Sequence, residues 1–425
     1  MDAFMVNKRV LMIAYHYPPM RGSSGIQRTL KFSQYLPQSG WGPVMLSAHP
    51  RAYSNPGDDQ MADIPASVPV TRAFALDTAR HLSVGGRYAG FMALPDRWAS
   101  WCLGAIPAGW RLIRRHRPAV IWSTYPIASA HLIGLVLRRL TGLPWVADLR
   151  DPMTDVSYPE DPRTRRVFQW IERKTIEHCT VAVCTTPGAI KTYEARFPAI
   201  PRERYRLIEN AYDEENFADA ERGGAAAAPG AHGGPLTLVH SGIIYPSERD
   251  PVPLFQALAA LKRQGAVSAA SVRVVLRATA HDDYLGGLIA EHGIADLVQL
   301  APHVPYRDAL AEMLNADGLL ILQASNCNHQ VPAKLYEYLR ARRPILALTD
   351  SDGDTAATLR QAGIDSIAPL DQKDAIIAML PRFLEQVRSG TAPLASAAVI
   401  AAHSRRARTE QLALLLDQVS ASHAQ

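Results

Sequence analysis

The chain has 425 residues, 48% of them hydrophobic and 20% charged, with a formal net charge of +5 at neutral pH. That length predicts two domains, and the composition is that of an ordinary globular protein, which excludes a disordered, collagenous or coiled-coil polypeptide. Four cysteines, Cys102, Cys179, Cys184 and Cys327, are too few for a disulfide framework and read as reduced thiols of a cytoplasmic protein.

Residues 1–8 mix polar and apolar side chains and do not read as a signal peptide. An apolar run over 9–16 predicts the first strand. It leads into YHYPPMRGSSGIQR, residues 15–28. Pro18-Pro19 forces an extended exit from the strand, because a proline disfavours helix in the residue before it. Gly22, Ser23, Ser24 and Gly25 then let the backbone approach a ligand closely, and Ser24 or Gly25 caps a helix over 25–37 that carries Ile26, Leu30 and Leu36. Free amides at a helix start favour an anion, most naturally a phosphate. The alternative is a glycine-rich turn with no ligand. The spacing is neither the dinucleotide GxGxxG nor a Walker P-loop, which argues against a dehydrogenase or a P-loop NTPase.

Further strands are predicted at 43–47, 68–74, 119–123, 144–148, 180–184 and 205–208, with helices near 104–116, 127–141, 163–178 and 188–195. Strand and helix in alternation imply a parallel sheet covered on both faces, an α/β fold. Residues 119–137 carry no formal charge over about the length of a membrane span, yet Ser123, Thr124, Pro126, Ser129 and His131 interrupt them. A strand, a loop and a helix in series account for them better. Positive charge concentrates in the first half: residues 1–215 hold 27 Lys and Arg against 19 Asp and Glu, and the remainder 18 against 21. Arg111, Arg114 and Arg115 share one helical face beside Trp110, a pattern that suits either plain solvation or an anionic membrane surface. No basic stripe is interleaved with stacking aromatics, which argues against nucleic acid.

Residues 218–234, rich in Gly and Ala, read as a linker between a domain at 1–217 and a second at 235–394. In the second domain strands are predicted at 236–240, 272–278, 297–301, 318–323 and 344–348. Residues 395–425 read as a helix, with Leu412, Leu415 and Leu416 on its apolar side, returning to the first domain. In HSGIIYPSERDP, residues 240–251, a strand ends at Gly242 and Arg249 precedes a helix. In QVPAKLYEYLRARRPILAL, residues 330–348, Lys334 and Glu337 lie three apart on one face of a helix start. A lysine there suits a diphosphate and a carboxylate suits ribose hydroxyls; a surface ion pair is the plain alternative. Ligands of open parallel sheets bind beyond the carboxyl ends of the strands, where all three stretches lie.

Together these stretches resemble the GT-B-fold glycosyltransferases of the large retaining family 4, with a subfamily-4-like N-terminal domain. The resemblance covers nearly the whole chain outside the linker. The Pro-Pro-x-x-Gly loop matches the family's first loop, LIENAYDEENF at 207–217 its signature before the interdomain crossing, and KLYEYLRARRPIL the segment whose glutamate binds ribose, here Glu337. Two departures stand out. Many members carry an arginine directly after the glycine at 242, where this chain has Ile243, so that Arg249 and Lys334 are left to hold the diphosphate. His329 replaces the first of the family's paired glutamates, the one that usually touches the transferred sugar.

The resemblance implies two Rossmann-like domains facing across a cleft. It also implies transfer of a sugar from a nucleotide-diphosphate sugar to a hydroxyl of a glycan or lipid-linked acceptor, with retention and with neither metal nor resident cofactor. At the strand end PWVADLRDP, Asp148 or Asp151 would receive or orient the acceptor proton; alternatively, Arg150 and the two aspartates form a structural ion-pair knot. Thr124, Tyr125 and Arg150 are assigned to the acceptor side. The expected setting is bacterial cell-surface polysaccharide or glycolipid synthesis, in the cytoplasm or peripheral on the inner face of the plasma membrane. Two other readings share the architecture: a nucleotide-sugar epimerase or hydrolase, and a catalytically silent sugar-nucleotide-binding scaffold.

Overall fold

The computed structural model describes residues 8–21, 25–58, 60–155, 158–222, 229 and 233–424. The chain divides into two compact units, one of Met1–Glu209 with Arg405–Gln425 and the other of Asn210–Ser404.

The first unit is built on a seven-stranded parallel sheet: β1 (Arg9–Ile13), β2 (Gly42–Ala48), β3 (Val70–Ala73), β4 (Val120–Thr124), β5 (Trp145–Arg150), β6 (Val181–Cys184) and β7 (Tyr205–Leu207). Their order is β3-β2-β1-β4-β5-β6-β7. β1, β4 and β5 are apolar runs because both faces of a central parallel strand are covered by helices. Residues 119–137 become β4, a loop and the start of helix Ala128–Thr141. No helix among the described residues is long and apolar enough to cross a membrane.

Local signals set the helix starts. Asp161 accepts the N–H of Thr164 at 2.7 Å ahead of Pro162–His178. Thr186 accepts that of Ala189 at 3.1 Å ahead of Pro187–Arg196. Both helices carry proline in the first turn, where its missing N–H costs nothing. The last helix, Arg405–Ala424, turns Leu412, Leu415, Leu416 and Val419 into the core beside Leu30 and Phe32 of helix Gly25–Tyr35. It belongs to the N-terminal unit, whereas residues 395–404, read with it as one helix, belong to the second.

The second unit holds a six-stranded parallel sheet: β8 (Leu236–Ser241), β9 (Val272–Arg277), β10 (Val298–Ala301), β11 (Gly318–Leu322), β12 (Ile345–Leu348) and β13 (Ile367–Ala368), ordered β10-β9-β8-β11-β12-β13. β13, of two residues, is absent from the sequence reading because it is too short to show a periodicity. Residues 218–221, read as the start of the linker, instead close a helix, Glu214–Glu221, capped by Asp213 on the N–H of Asn216. Most of the remaining linker, 223–228 and 230–232, lies outside the described residues. In each unit the strand order reverses once, between β1 and β4 and between β8 and β11, which is where an open α/β sheet leaves a crevice for ligands.

Candidate active site

In the second unit, residues from three segments meet at the carboxyl end of β8. Gly242 has φ +114°, a conformation that side-chain-bearing residues rarely adopt, and a Cβ there would lie 3.1 Å from Lys334 Nζ. Lys334 opens helix Lys334–Ala341, and its Nζ donates to His240 Nε2 at 3.0 Å. His240 is fully buried in β8 and donates Nδ1–H to the Leu320 carbonyl at 2.9 Å, which leaves Nε2 as the acceptor. Arg249 closes the short helix Pro246–Arg249, donates to the Ile243 carbonyl at 2.9 Å and lies over the Tyr245 ring. Burial and the neighbouring Arg249 pull the Lys334 ammonium down to about 7, against an upward pull from Glu337. Two basic side chains thus stand beside the glycine, and among the described residues no carboxylate forms an ion pair with Lys334.

Glu337 lies one turn further along the same helix and accepts from the Tyr306 hydroxyl at 2.7 Å. His329 is half-buried in the loop ahead of the helix. Gln323 pins that loop by donating to the carbonyls of Cys327 and Gln330 at 2.9 and 3.0 Å. Gly242, Arg249, Lys334 and Glu337 are therefore gathered on one edge of the sheet, Lys334 directly against Gly242. Gly242→Ala is expected to strain the backbone and push a methyl group toward Lys334 Nζ. We expect at least tenfold weaker binding of nucleoside diphosphate, measured by calorimetry, with a normal circular dichroism spectrum.

In the first unit, Gly22, Ser23 and Ser24 lie outside the described residues, and Gly25 is buried at the start of helix Gly25–Tyr35. At the end of β5, Asp148 is fully buried and held on both oxygens. Arg28 donates to Oδ2 at 3.0 Å and Oδ1 at 2.8 Å, and Thr124 donates to Oδ2 at 2.8 Å. Arg28 also donates to the carbonyls of Ile208 and Glu209, each at 2.9 Å. A bulge in β5 between Asp148 and Arg150 sets Arg150 at φ +58°. Its guanidinium reaches Thr124 Oγ1 and the Gly25 carbonyl, both at 2.9 Å. Burial alone would raise the Asp148 carboxyl; Arg28, Arg150 and Thr124 outweigh it and hold it below the ordinary carboxylate range. Burial likewise lowers Arg150, to about 10, and His16, three residues beyond β1, to about 3.

Thr124, Asp148, Arg150 and Gly25 are thus joined in one buried network, and the Tyr125 ring stacks on His131 beside it. Asp151 is exposed just beyond the strand. Arg111, Arg114 and Arg115 sit apart from this network on the exposed face of helix Trp101–His116. Sequence reasoning missed Arg28, His240 and Tyr306. For Arg28 periodicity gave no signal: two residues from both Ile26 and Leu30, it lies off their apolar stripe, and it is buried because the helix is covered on nearly every side.

Residues 25–211 match the family model of the glycosyl transferase 4-like domain. No curated protein sequence matches the chain. Among solved structures, the sucrose-phosphate synthase of Thermosynechococcus elongatus superposes with a TM-score of 0.67 at 14% identity, over 98% of this chain and 100% of that one. The Anabaena protein HepE, crystallised in complex with UDP, gives 0.64 at 12% identity, over 97% and 100%. A putative UDP-N-acetylglucosamine 2-epimerase of Listeria monocytogenes gives 0.56 at 10%, over 95% and 94%. At such identities the likeness speaks for the fold, and the family model speaks for the N-terminal half. Residues 25–211 thus match the glycosyl transferase 4-like domain, and the chain as a whole has the two-sheet α/β fold of these solved structures.

Proposed function

We propose that the protein transfers a sugar from a nucleotide-diphosphate sugar to a hydroxyl of a lipid-linked or glycan acceptor in the synthesis of a bacterial cell-surface polysaccharide or glycolipid. The observation that carries the donor half of this reading is the pair of basic side chains, Lys334 and Arg249, beside the backbone of Gly242 and Ile243. A leaving diphosphate develops negative charge, and fixed cations at that point stabilise it without reorganising during the reaction. Two such side chains supply the neutralisation that a metal provides in other transferases, which favours a metal-independent reaction. Glu337 would take the ribose hydroxyls in place of the Tyr306 hydroxyl it now holds. His329 would stand near the transferred sugar. Retention follows from the family resemblance. The complex of HepE with UDP makes uridine the first base to try.

On the acceptor side, we assign the contact with the attacking hydroxyl to Asp151, which is exposed. Asp148 is enclosed by Arg28 and Thr124 and acts through the network that shapes this strand end, with Thr124, Tyr125 and Arg150 around it.

Thermal unfolding with UDP, GDP, ADP, CDP and dTDP tests the donor reading. A ligand present at a hundred times its dissociation constant adds about 2.7 kcal/mol to stability. One diphosphate is expected to raise the melting temperature of the wild type, and Glu337→Ala and Arg249→Ala to lose that rise. Failure of all five would remove the support for a nucleotide-sugar site here.

Helix Trp101–His116 also suits a membrane surface. Trp101, Ala105, Ala108, Gly109 and Leu112 face the core, while Leu103 is 76% and Trp110 37% exposed beside Arg111, Arg114 and Arg115. Each basic residue close to an anionic bilayer contributes about 1 kcal/mol. Replacing the three arginines by glutamine is therefore expected to weaken co-sedimentation with phosphatidylglycerol vesicles on the order of a hundredfold, with binding to neutral vesicles weak in both proteins.

A further inference from the structure

The role of Lys334 depends on its partner. His240 has no contact with water, and its Nδ1–H is committed to the Leu320 carbonyl, so Nε2 carries a lone pair fixed in direction. Burial first, then Lys334 and Arg249, keep this imidazole neutral. A neutral imidazole nitrogen accepts from a lysine in either protonation state, because both the ammonium and the amine carry N–H groups. Lys334 is thereby anchored whether or not it is charged.

The groups facing Lys334 Nζ do little to charge it. From β8 comes neutral His240, and from helix Pro246–Arg249 comes Arg249, a repelling cation, with Glu248 beyond it at 4.0 Å from the arginine. From its own helix come Glu337, which is engaged by Tyr306, and Tyr338, whose hydroxyl receives the Ser241 N–H. On the remaining side lies Gly242, and a group approaching it meets Nζ at about van der Waals distance or closer. The missing negative charge has one open direction from which to arrive.

We propose that His240 and Lys334 form a proton-linked diphosphate contact: as the nucleoside diphosphate binds, Lys334 takes a proton from solvent onto Nζ, and His240 holds that nitrogen in place before and after. This rests on the donor reading above and adds His240 as a positioning residue. An anion beside Nζ favours the ammonium and raises its pKa, so binding draws in a proton wherever the free protein is mostly deprotonated. The free group sits near 7. Above that, affinity falls with rising pH, approaching tenfold per unit until the pKa of the bound state is reached.

Calorimetric titration of the full chain with UDP, or with whichever of the five diphosphates binds, at pH 8 in two buffers of different ionisation heat counts the protons taken up. At pH 8 the terminal phosphate, with a pKa of about 6, contributes little. The wild type is expected to take up close to one proton per diphosphate, with affinity falling between pH 7 and 9. Lys334→Arg, permanently charged, is expected to bind with no uptake and a flat profile. His240→Leu is expected to weaken binding about tenfold in the wild type and to have no further effect in a Lys334→Met background, where there is no amine left to position. Binding by the wild type without proton uptake overturns this inference and leaves the donor site standing. Absence of binding by every diphosphate overturns the donor site as well.

Discussion

Asp148→Ala is expected to destabilise the N-terminal unit by about 3–5 kcal/mol, the usual cost of removing one partner from a buried ion pair. Arg28 is 1% exposed and would lose the carboxylate that neutralises it, while Arg150 would remain buried beside it. Arg28 would keep its bonds to the Ile208 and Glu209 carbonyls, but two adjacent guanidinium groups would then face each other without an anion. Urea unfolding followed by tryptophan fluorescence reads the loss directly, since Trp122 and Trp145 sit in the two strands that carry Thr124, Asp148 and Arg150. The pH dependence has a definite sign. The Asp148 carboxyl is held below its ordinary value, so its stabilisation is complete at neutral pH and is lost as pH falls through that depressed value, below about 4. A variant with an unchanged urea midpoint and no transferase activity would instead make Asp148 a group that touches the acceptor.

Lys334→Met is expected to separate stability from function. The folded-state pKa of Lys334 is lowered to about 7, so between there and its ordinary value the unfolded chain binds the extra proton and stability rises with pH. Below pH 7 the penalty for holding an ammonium in this site is fully present. Methionine fills the same space without that penalty, so the variant should melt higher than the wild type at pH 6.5 and show a flatter dependence from pH 7 to 10. It should also lose a diphosphate contact that strengthens as the leaving group departs. Removing one such donor lowers turnover by about 10²–10³. A rise in melting temperature together with this fall in kcat would place Lys334 at the leaving group. A fall in both would point to a structural role in bracing Gly242 and His240.

Much of this fold was legible from the order of residues. Among the described residues twelve of thirteen strands overlap stretches expected from the sequence, most of them rich in Val, Ile, Leu and Ala, and Asp161-Pro162 and Thr186-Pro187 announce their helices. Residues 119–137 could be divided into strand, loop and helix because Pro126 and the polar residues around it break an otherwise continuous apolar run. Gly242, Lys334 and Glu337 stood out for a related reason: they follow strand ends or open a helix, and in a parallel sheet those positions share one edge whatever else the chain does.

What only the tertiary structure decided is which buried polar groups meet. Lys334 and His240 are 94 residues apart, and Arg28 and Asp148 are 120 apart. In the sequence His240 is one residue at the end of a strand, and Arg28 one among several basic residues near a glycine-rich turn. The arrangement of the strands sets β8 beside β11 and β1 beside β4, and so brings these side chains together. Periodicity reports whether a position faces inward, because burial of apolar surface is a property of each residue. Pairing of charges is a property of two residues, and the identity of the second is settled only when the sheet closes around both.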